Sequence, residues 1–314
     1  MSGKKKNEAG AARRFAKLLA KSAHFANYSL RSQFFVRRLR ELSFLTVAGE
    51  VRKLLPLKDS FKWTWHESFG IDKAALESVV ASGIEPLVFF LHPRVLSEQP
   101  SLLLYYRCVA MISQKGLARL VGGTVAGIEG GKAKTIDEEL QTRLVVTVNK
   151  LLSLVATSFV ELQELRESHL DAFLFAQAGS QIQGSWNNAV GEQGERAIRE
   201  ILVRNLHNQL VQVVWKDDSS VDLDKISPAE LLAHAGAIKV LRMKKGFHCA
   251  FGSEPDVSLR NADDMPLLSV EVKAGSDPAG ALERYGAAIK SFEHEKGLNP
   301  RLKTVYVAAC IPEE

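Results

Sequence analysis

Between residues 266 and 273 the chain reads Pro-Leu-Leu-Ser-Val-Glu-Val-Lys, and in this run Leu268, Val270 and Val272 alternate with Ser269, Glu271 and Lys273. A period of two is a strand signature, because successive side chains leave a pleated backbone on opposite sides. The apolar set is expected to face a core, and Glu271 and Lys273 then stand side by side on the other face. Fifteen residues before Glu271 stands Asp256, where Glu254-Pro255-Asp256 leads into a second short strand-like run, Asp256-Val257-Ser258-Leu259-Arg260. The polar segment from Asn261 to Pro266 is suited to turn the chain back between them. A hairpin here brings two carboxylates and one lysine together.

That combination has a specific chemistry. Hard carboxylate oxygens suit Mg²⁺, which keeps several waters and takes only one or two protein carboxylates beside a substrate phosphate. A lysine next to them is placed to orient a water and to offset charge developing on a phosphate. The same spacing also fits an ordinary solvated strand face with an acid in a polar hairpin, and short motifs of this kind recur by chance.

A chain of 314 residues with 46% hydrophobic content is long enough for one elaborated domain or two. Cys108, Cys249 and Cys310 are odd in number, far apart and without a C-x-x-C pair, which argues against a disulfide framework or a structural zinc site. A reducing cytoplasm is the expected compartment. No apolar run reaches the length of a membrane span, since Leu144 to Val160 is interrupted by Asn149 and Lys150. The N-terminus is basic but has no hydrophobic signal core.

The net charge of +5 is unevenly placed. Residues 1–60 carry 14 Lys and Arg against 4 Asp and Glu, leaving 27 against 32 for the rest. Such a basic block is an electrostatic footprint for nucleic acid or an acidic membrane surface, or else a solubilising face. A disordered basic tail is expected over residues 1–10. Helical spacing follows from Ala11, through Phe15, Leu18, Leu19, Ser22, Phe25 and Ala26, and again from Leu30 to Leu55.

Phe61 to His66 is an aromatic segment read as packing, and Leu87 to Leu91 as a short buried piece. Leu102 to Leu120 reads as helix. So does Thr135 to about Phe175, as one long or gently broken element at the core or at a dimer surface. The glycines at 122–131 do not form a phosphate-binding loop, because no strand precedes them and no Gly-Lys-Ser/Thr follows. Residues 11–175 are therefore expected to be nearly all helical.

Beyond residue 175 the character changes. Gln177 to Asn188 reads as a polar loop, and Gly191 starts a helix reaching Asn205. Strands are expected at Val211 to Trp215, Ile238 to Met243, Phe247 to Ala250, around Asp256 and Glu271, and at Thr304 to Ile311. Asp277 as N-cap and Pro278 as first helical residue begin a crossover helix to about Glu295, with Leu282, Tyr285, Ile289 and Phe292 as its buried stripe. Its N-terminus is expected near the acids, where it would favour a phosphate. Glu195 lies towards the apolar side of the preceding helix. That position suits either a partner for the site or the usual preference of acids for a helix start.

The order of a helix with Glu195, strands with Pro255-Asp256 and Glu271-Val272-Lys273, a crossover helix and a final strand resembles the core of the PD-(D/E)xK nuclease superfamily, over roughly residues 188–312. The stretch from Glu271 through Ala274-Gly275-Ser276-Asp277-Pro278 to Gly286 is similar to the segment after the catalytic lysine in a group of type II restriction endonucleases. His92-Pro93-Arg94-Val95-Leu96, Tyr105-Tyr106-Arg107 and Ser113-Gln114-Lys115-Gly116-Leu117 resemble the helical part of XcyI-like members. Ala274 departs from the Gly of many relatives. The Arg-acid-Arg triplet of the CCGG-cutting subgroup is not matched.

The resemblance implies an α/β (α+β) fold, a restriction-endonuclease-like mixed sheet flanked by helices with a large N-terminal all-α part, residues 11–175 serving DNA binding and dimerisation and the nuclease core occupying 176–314. It implies Mg²⁺ held by Asp256 and Glu271, Lys273 handling the attacking water and Glu195 as a supporting acid. The implied substrate is double-stranded, palindromic, G/C-rich DNA, and a palindrome implies a homodimer. Base or backbone contacts are expected from Ser185, Asn187, Asn188, Arg284 and Lys290 near the core and from Lys115 and Arg119 in the helical part. No membrane role is implied. A repair or junction-resolving nuclease on the same core, and a non-catalytic basic DNA-binding protein, are the alternatives.

Overall fold

A computed structural model describes residues 23–161, 165–275 and 281–308. The expected tail at 1–10, most of the amphipathic stretch from Ala11, and Asp277 and Pro278 lie outside them. The chain divides into two compact units, Met1–Trp186 and Asn187–Glu314. Among the described residues, no helix is long and apolar enough to cross a membrane.

Among its described residues the first unit contains helices joined by turns and no strand. Its longer elements are α1 (Ala23–Glu41), α2 (Glu138–Glu161) and the first half of α3 (Glu167–Leu206). The expected helix from Leu30 to Leu55 is broken after Glu41, where Ser43 adopts a left-handed backbone, and resumes at Val47–Arg52. Leu102 to Leu120 is similarly cut by Met111 at φ 55° into two short helices. The helix expected over Thr135 to Phe175 ends at Glu161 and restarts at Glu167. Leu144, Val148 and Leu152 of α2 are fully buried, so this helix forms core. Leu87 to Leu91 is buried as expected; Phe61 and Trp63 of the aromatic segment pack edge-on against His92 together with Phe69, whereas Trp65 is exposed.

The polar loop expected at Gln177 to Asn188 is helix, part of the unbroken 40-residue α3, and no new helix starts at Gly191. Leu170, Leu174, Ala178 and Ile182 recur every four residues and are all buried. That stripe offsets the roughly 1 kcal/mol that each interior glycine costs a helix.

The second unit is a seven-stranded sheet in the order β2-β1-β3-β4-β5-β6-β7. The strands are β1 (Leu210–Trp215), β2 (Ser220–Asp222), β3 (Ile238–Met243), β4 (His248–Phe251), β5 (Val257–Arg260), β6 (Pro266–Lys273) and β7 (Lys303–Ala308). All neighbours are antiparallel except β6 and β7, and a parallel pair needs a crossover. Helix α4 (Ala281–Leu298) supplies it. Mixed sheet, flanking helices and helical N-terminal part are as the resemblance implies, whereas the three-residue β2 and short helices such as Lys73–Ala81 and Pro228–Ala233 had no sequence expectation.

One sheet face is apolar. Val213, Leu241, Cys249, Phe251, Val257, Val270 and Val272 pack with Val203, Ile198 and Leu202 of α3. Gly194 permits the approach, because a Cβ built there would stand 2.4 Å from the Ala274 Cβ, just past the end of β6. The other face is not solvated at its centre: Ser258, Ser269 and Glu271 are buried there beside Ala288, Ser291 and Glu295 of α4. The stripe expected on α4 is therefore displaced. Tyr285 and Ile289 are exposed, and of the four only Phe292 is described as buried.

The Gly194 contact is directly testable. Gly194→Ala should lower stability by about 1–3 kcal/mol in denaturant unfolding, and Gly194→Ala with Ala274→Gly should recover most of it. A double variant no better than the single would show that the clash lies elsewhere.

Candidate functional site

Asp256 immediately precedes β5, and Glu271 and Lys273 end β6. In the β5–β6 register Val257 faces Val270 and Ser258 faces Ser269, so alternation places Asp256 and Glu271 on the face of the two serines. The hairpin turn runs through Asn261 to Met265, with Asn261 Oδ1 accepting the N–H groups of Asp263 and Met265. Local turn chemistry thus sets the register that pairs the acids.

Asp256 Oδ2 accepts the Val272 backbone N–H at 2.6 Å, which ties the carboxylate to the strand carrying Glu271. Lys273 Nζ ion-pairs with Glu271 Oε1 and lies 4.0 Å from Asp256 Oδ2. The other oxygen of Glu271, Oε2, accepts from Ser291 Oγ at 3.3 Å. The side chains of Asp256 and Glu271 are 8% and 2% exposed.

Burial pushes the Asp256 carboxyl up to about 6; the Val272 N–H opposes this, Glu271 adds to it, Lys273 counters and Glu195 adds again. Burial alone would lower the Lys273 pKa, but its bond to Glu271 and the charges of Glu271 and Asp256 outweigh that and raise it. One ammonium thus serves two acids. Two buried hard-oxygen donors with an unbalanced negative charge suit a divalent cation of the Mg²⁺ type, with water and substrate supplying the remaining ligands. Among the described residues no group of three or more His, Cys, Asp or Glu is placed to hold a metal ion, so Glu195 does not join Asp256 and Glu271 as a third ligand in this arrangement.

Glu195 stands on α3 next to Gly194, close enough to act on the Asp256 charge. It pairs with Arg199 at 3.2 Å, and Arg199 is buried over the Phe251 ring. The structure therefore brings Asp256, Glu271, Lys273 and Glu195 into one neighbourhood.

The expected DNA contacts are more scattered. Asn187 and Asn188 are exposed, but on helix α3 instead of the expected loop, and Ser185 is half-buried with its hydroxyl donated to the Gln181 carbonyl. Lys290 is exposed on α4, and the Arg284 side chain lies outside the described residues. Lys115 and Arg119 are exposed on the helix Gln114–Val121 of the first unit.

Sequence reasoning missed Ser291 and Glu295. Glu295 Oε2 accepts from Ser258 Oγ and Ser269 Oγ, at 2.9 and 3.0 Å, and Oε1 pairs with Arg260. Four-residue spacing between Ser291 and Glu295 was visible, but polar residues are not counted when a buried face is sought by hydrophobicity.

Residues 70–305 match the family described as XcyI restriction endonuclease. The chain is 25% identical over 241 residues to the type II restriction enzyme XcyI of Xanthomonas campestris pv. cyanopsidis, covering 73% of this chain and 65% of that enzyme. It is 22% identical over 239 residues to the type II restriction enzyme Cfr9I of Citrobacter freundii, covering 72% and 66%. It thus spans just under two thirds of the length of each.

The Asp256 shift has a definite sign. A folded pKa of about 6 against 3.8 means the carboxyl's contribution to stability is complete below pH 3.8 and is lost as pH rises through 6. In EDTA, Asp256→Asn should therefore be more stable than the parent at pH 8, by at most about 3 kcal/mol, and no more stable at pH 4. Denaturation midpoints across this range decide it; a constant difference would remove the charge argument.

Proposed function

Because the chain belongs to the XcyI restriction endonuclease family, and because Asp256, Glu271 and Lys273 converge at the ends of paired strands, we propose that it is a type II restriction endonuclease. In this reading it hydrolyses phosphodiester bonds at a specific site in double-stranded DNA. The convergence of two buried carboxylates on one lysine is the observation that carries the proposal. Restriction endonucleases generally use divalent metal ions, and Mg²⁺ is the ion proposed here, held by Asp256 and Glu271. When bound, it polarises a phosphoryl oxygen and makes water more acidic.

The chain's own residues have separate tasks. Asp256 keeps its backbone hydrogen bond through one oxygen, Oδ2, leaving the other for a cation. Lys273 stays protonated beside Glu271, so it acts as a cation and donor and not as the base. From that position it orients the attacking water and offsets charge developing on the phosphorus oxygens. Glu195, the most exposed of the three acids, supports the cation or the water from the helix side.

A palindromic, G/C-rich target and a homodimer presenting one centre to each strand complete the proposal. Similarity in the segment after Lys273 supports the target class, and two-fold symmetry of the target supports the dimer. Basic side chains of α1, with Lys115 and Arg119, are assigned to backbone phosphates, and Asn187, Asn188, Arg284 and Lys290 to contacts nearer the bases.

Incubation with long unmodified duplex DNA and Mg²⁺ should give discrete, reproducible fragments. Smearing or a need for branched DNA would favour a different nuclease activity, and no cleavage with Mg²⁺ or Mn²⁺ would end the enzyme reading. Asp256→Ala and Lys273→Ala should each lower cleavage at least about a hundredfold while salt-sensitive DNA binding persists. Parallel collapse of binding would contradict the roles assigned.

A further inference from the structure

Glu271 is gripped from two sides by unlike partners. Lys273 holds Oε1 from the same strand, whereas Ser291 holds Oε2 from a different element, helix α4. A partner on the same strand moves with the carboxylate; one on a separate helix fixes its rotation against the rest of the fold. Ser291 is itself buried, so this hydrogen bond does not compete with bulk water.

The helix is set in register by the residue one turn further on. Glu295 accepts from Ser258 on β5 and from Ser269 on β6 and pairs with Arg260, so one carboxylate bridges α4 to both strands. Arg260 also donates to Ser258 Oγ at 3.1 Å and to the Asp264 carbonyl, and Asn299 Nδ2 donates to the Pro266 carbonyl at 2.7 Å. Ser258 and Ser269 are cross-strand partners, each two residues from Asp256 or Glu271 on the same face. With Glu295 seated on the serine pair, Ser291 falls over the acid pair.

Well-packed apolar side chains would cover this sheet face with equal or greater stability, because buried charges cost desolvation that their partners only partly return. What the polar layer supplies is direction. Groups that hold a metal ligand from behind fix its orientation, and their loss commonly costs 10–100-fold in metal affinity or activity.

We propose that Ser291 is a positioning residue that orients the Glu271 carboxylate toward a divalent cation, with Glu295 as the anchor that places it. This rests on the reading of Glu271 as a ligand. The test measures Mn²⁺ binding to the DNA-free full-length protein by electron paramagnetic resonance, beside cleavage as a function of Mg²⁺ concentration. Ser291→Ala should weaken Mn²⁺ binding about tenfold or more and raise the half-saturating Mg²⁺ by a similar factor. Its metal-free DNA affinity should stay near the parent's, and its melting temperature in EDTA, lowered by the lost buried hydrogen bond, should stay above the assay temperature.

Ser291→Thr, which keeps the hydroxyl, should bind Mn²⁺ like the parent. If Ser291→Ala melts below the assay temperature, Ser291→Cys, similar in size and a poor donor, carries the same expectation. A Ser291→Ala isotherm that superimposes on the parent's, or a Ser291→Thr isotherm as weak as that of Ser291→Ala, overturns the proposal. A parent that binds Mn²⁺ but cuts no DNA would refute the nuclease reading while leaving this inference intact. A parent that binds no Mn²⁺ would refute the ligand role and the inference with it.

Discussion

Two carboxylates held out of water beside a single ammonium are the constraint around which the second unit is arranged. Isolated buried charges cost several kcal/mol each, so the cluster survives only because each member is held by more than one contact. Asp256 is tied to the Val272 N–H, Glu271 to Lys273 and Ser291, and Lys273 to both acids. The balance is still incomplete. Burial pushes Asp256 up to about 6, with the charge of Glu271 adding to it and the Lys273 ammonium countering it only in part. A site in this condition gains from an added positive charge, and the same deficit that weakens the cation-free fold favours cation binding.

The sheet resolves this tension by giving its two faces different work. On the α3 side, valines, leucines and Phe251 bury apolar area without polar cost. On the α4 side, Ser258, Ser269, Arg260, Ser291 and Glu295 form a satisfied hydrogen-bonded layer behind the acids. Packing of the first kind supplies stability at about 25 cal/mol per Å², and the second supplies geometry. Val272 joins the two, its side chain in the apolar core and its N–H on Asp256.

The apolar half of this design is written plainly in the sequence, and the polar half is hidden. Alternation from Leu268 to Lys273 locates β6, its acid Glu271 and its core face, and the turn from Asn261 to Pro266 and most other strands follow from similar signals. The α4 face was misplaced because Tyr285 and Ile289 are apolar but exposed, while Ser291 and Glu295 are polar but buried. Hydrophobic periodicity finds a buried face only where burial is apolar. The polar stretch at Gln177 to Asn188 failed for the converse reason: Gly179, Ser180, Gly184 and Ser185 suggest a loop locally, whereas the buried Leu170, Leu174, Ala178 and Ile182 keep the helix going. Neither the Gly194–Ala274 contact nor the Asp256–Val272 hydrogen bond has a local signature, since each joins residues distant in sequence.

The three acids differ in how firmly they are held, and that gradation bears on their proposed roles. Glu271 is the most enclosed, Asp256 slightly less, and Glu195 has 31% of its side chain exposed. Among the described residues Glu195 is restrained by Arg199, whose guanidinium is buried against Phe251 with its Nε lacking a hydrogen-bond partner. An arginine locked in place can release a flexible acid without moving itself, whereas Glu271 has no comparable freedom between Lys273 and Ser291. In the proposed site, adjustment to a bound cation or to DNA is assigned to Glu195, with the β5–β6 pair as the fixed reference. That division explains why the close approach at Gly194 matters: it sets the distance between the adjustable acid and the two that do not move.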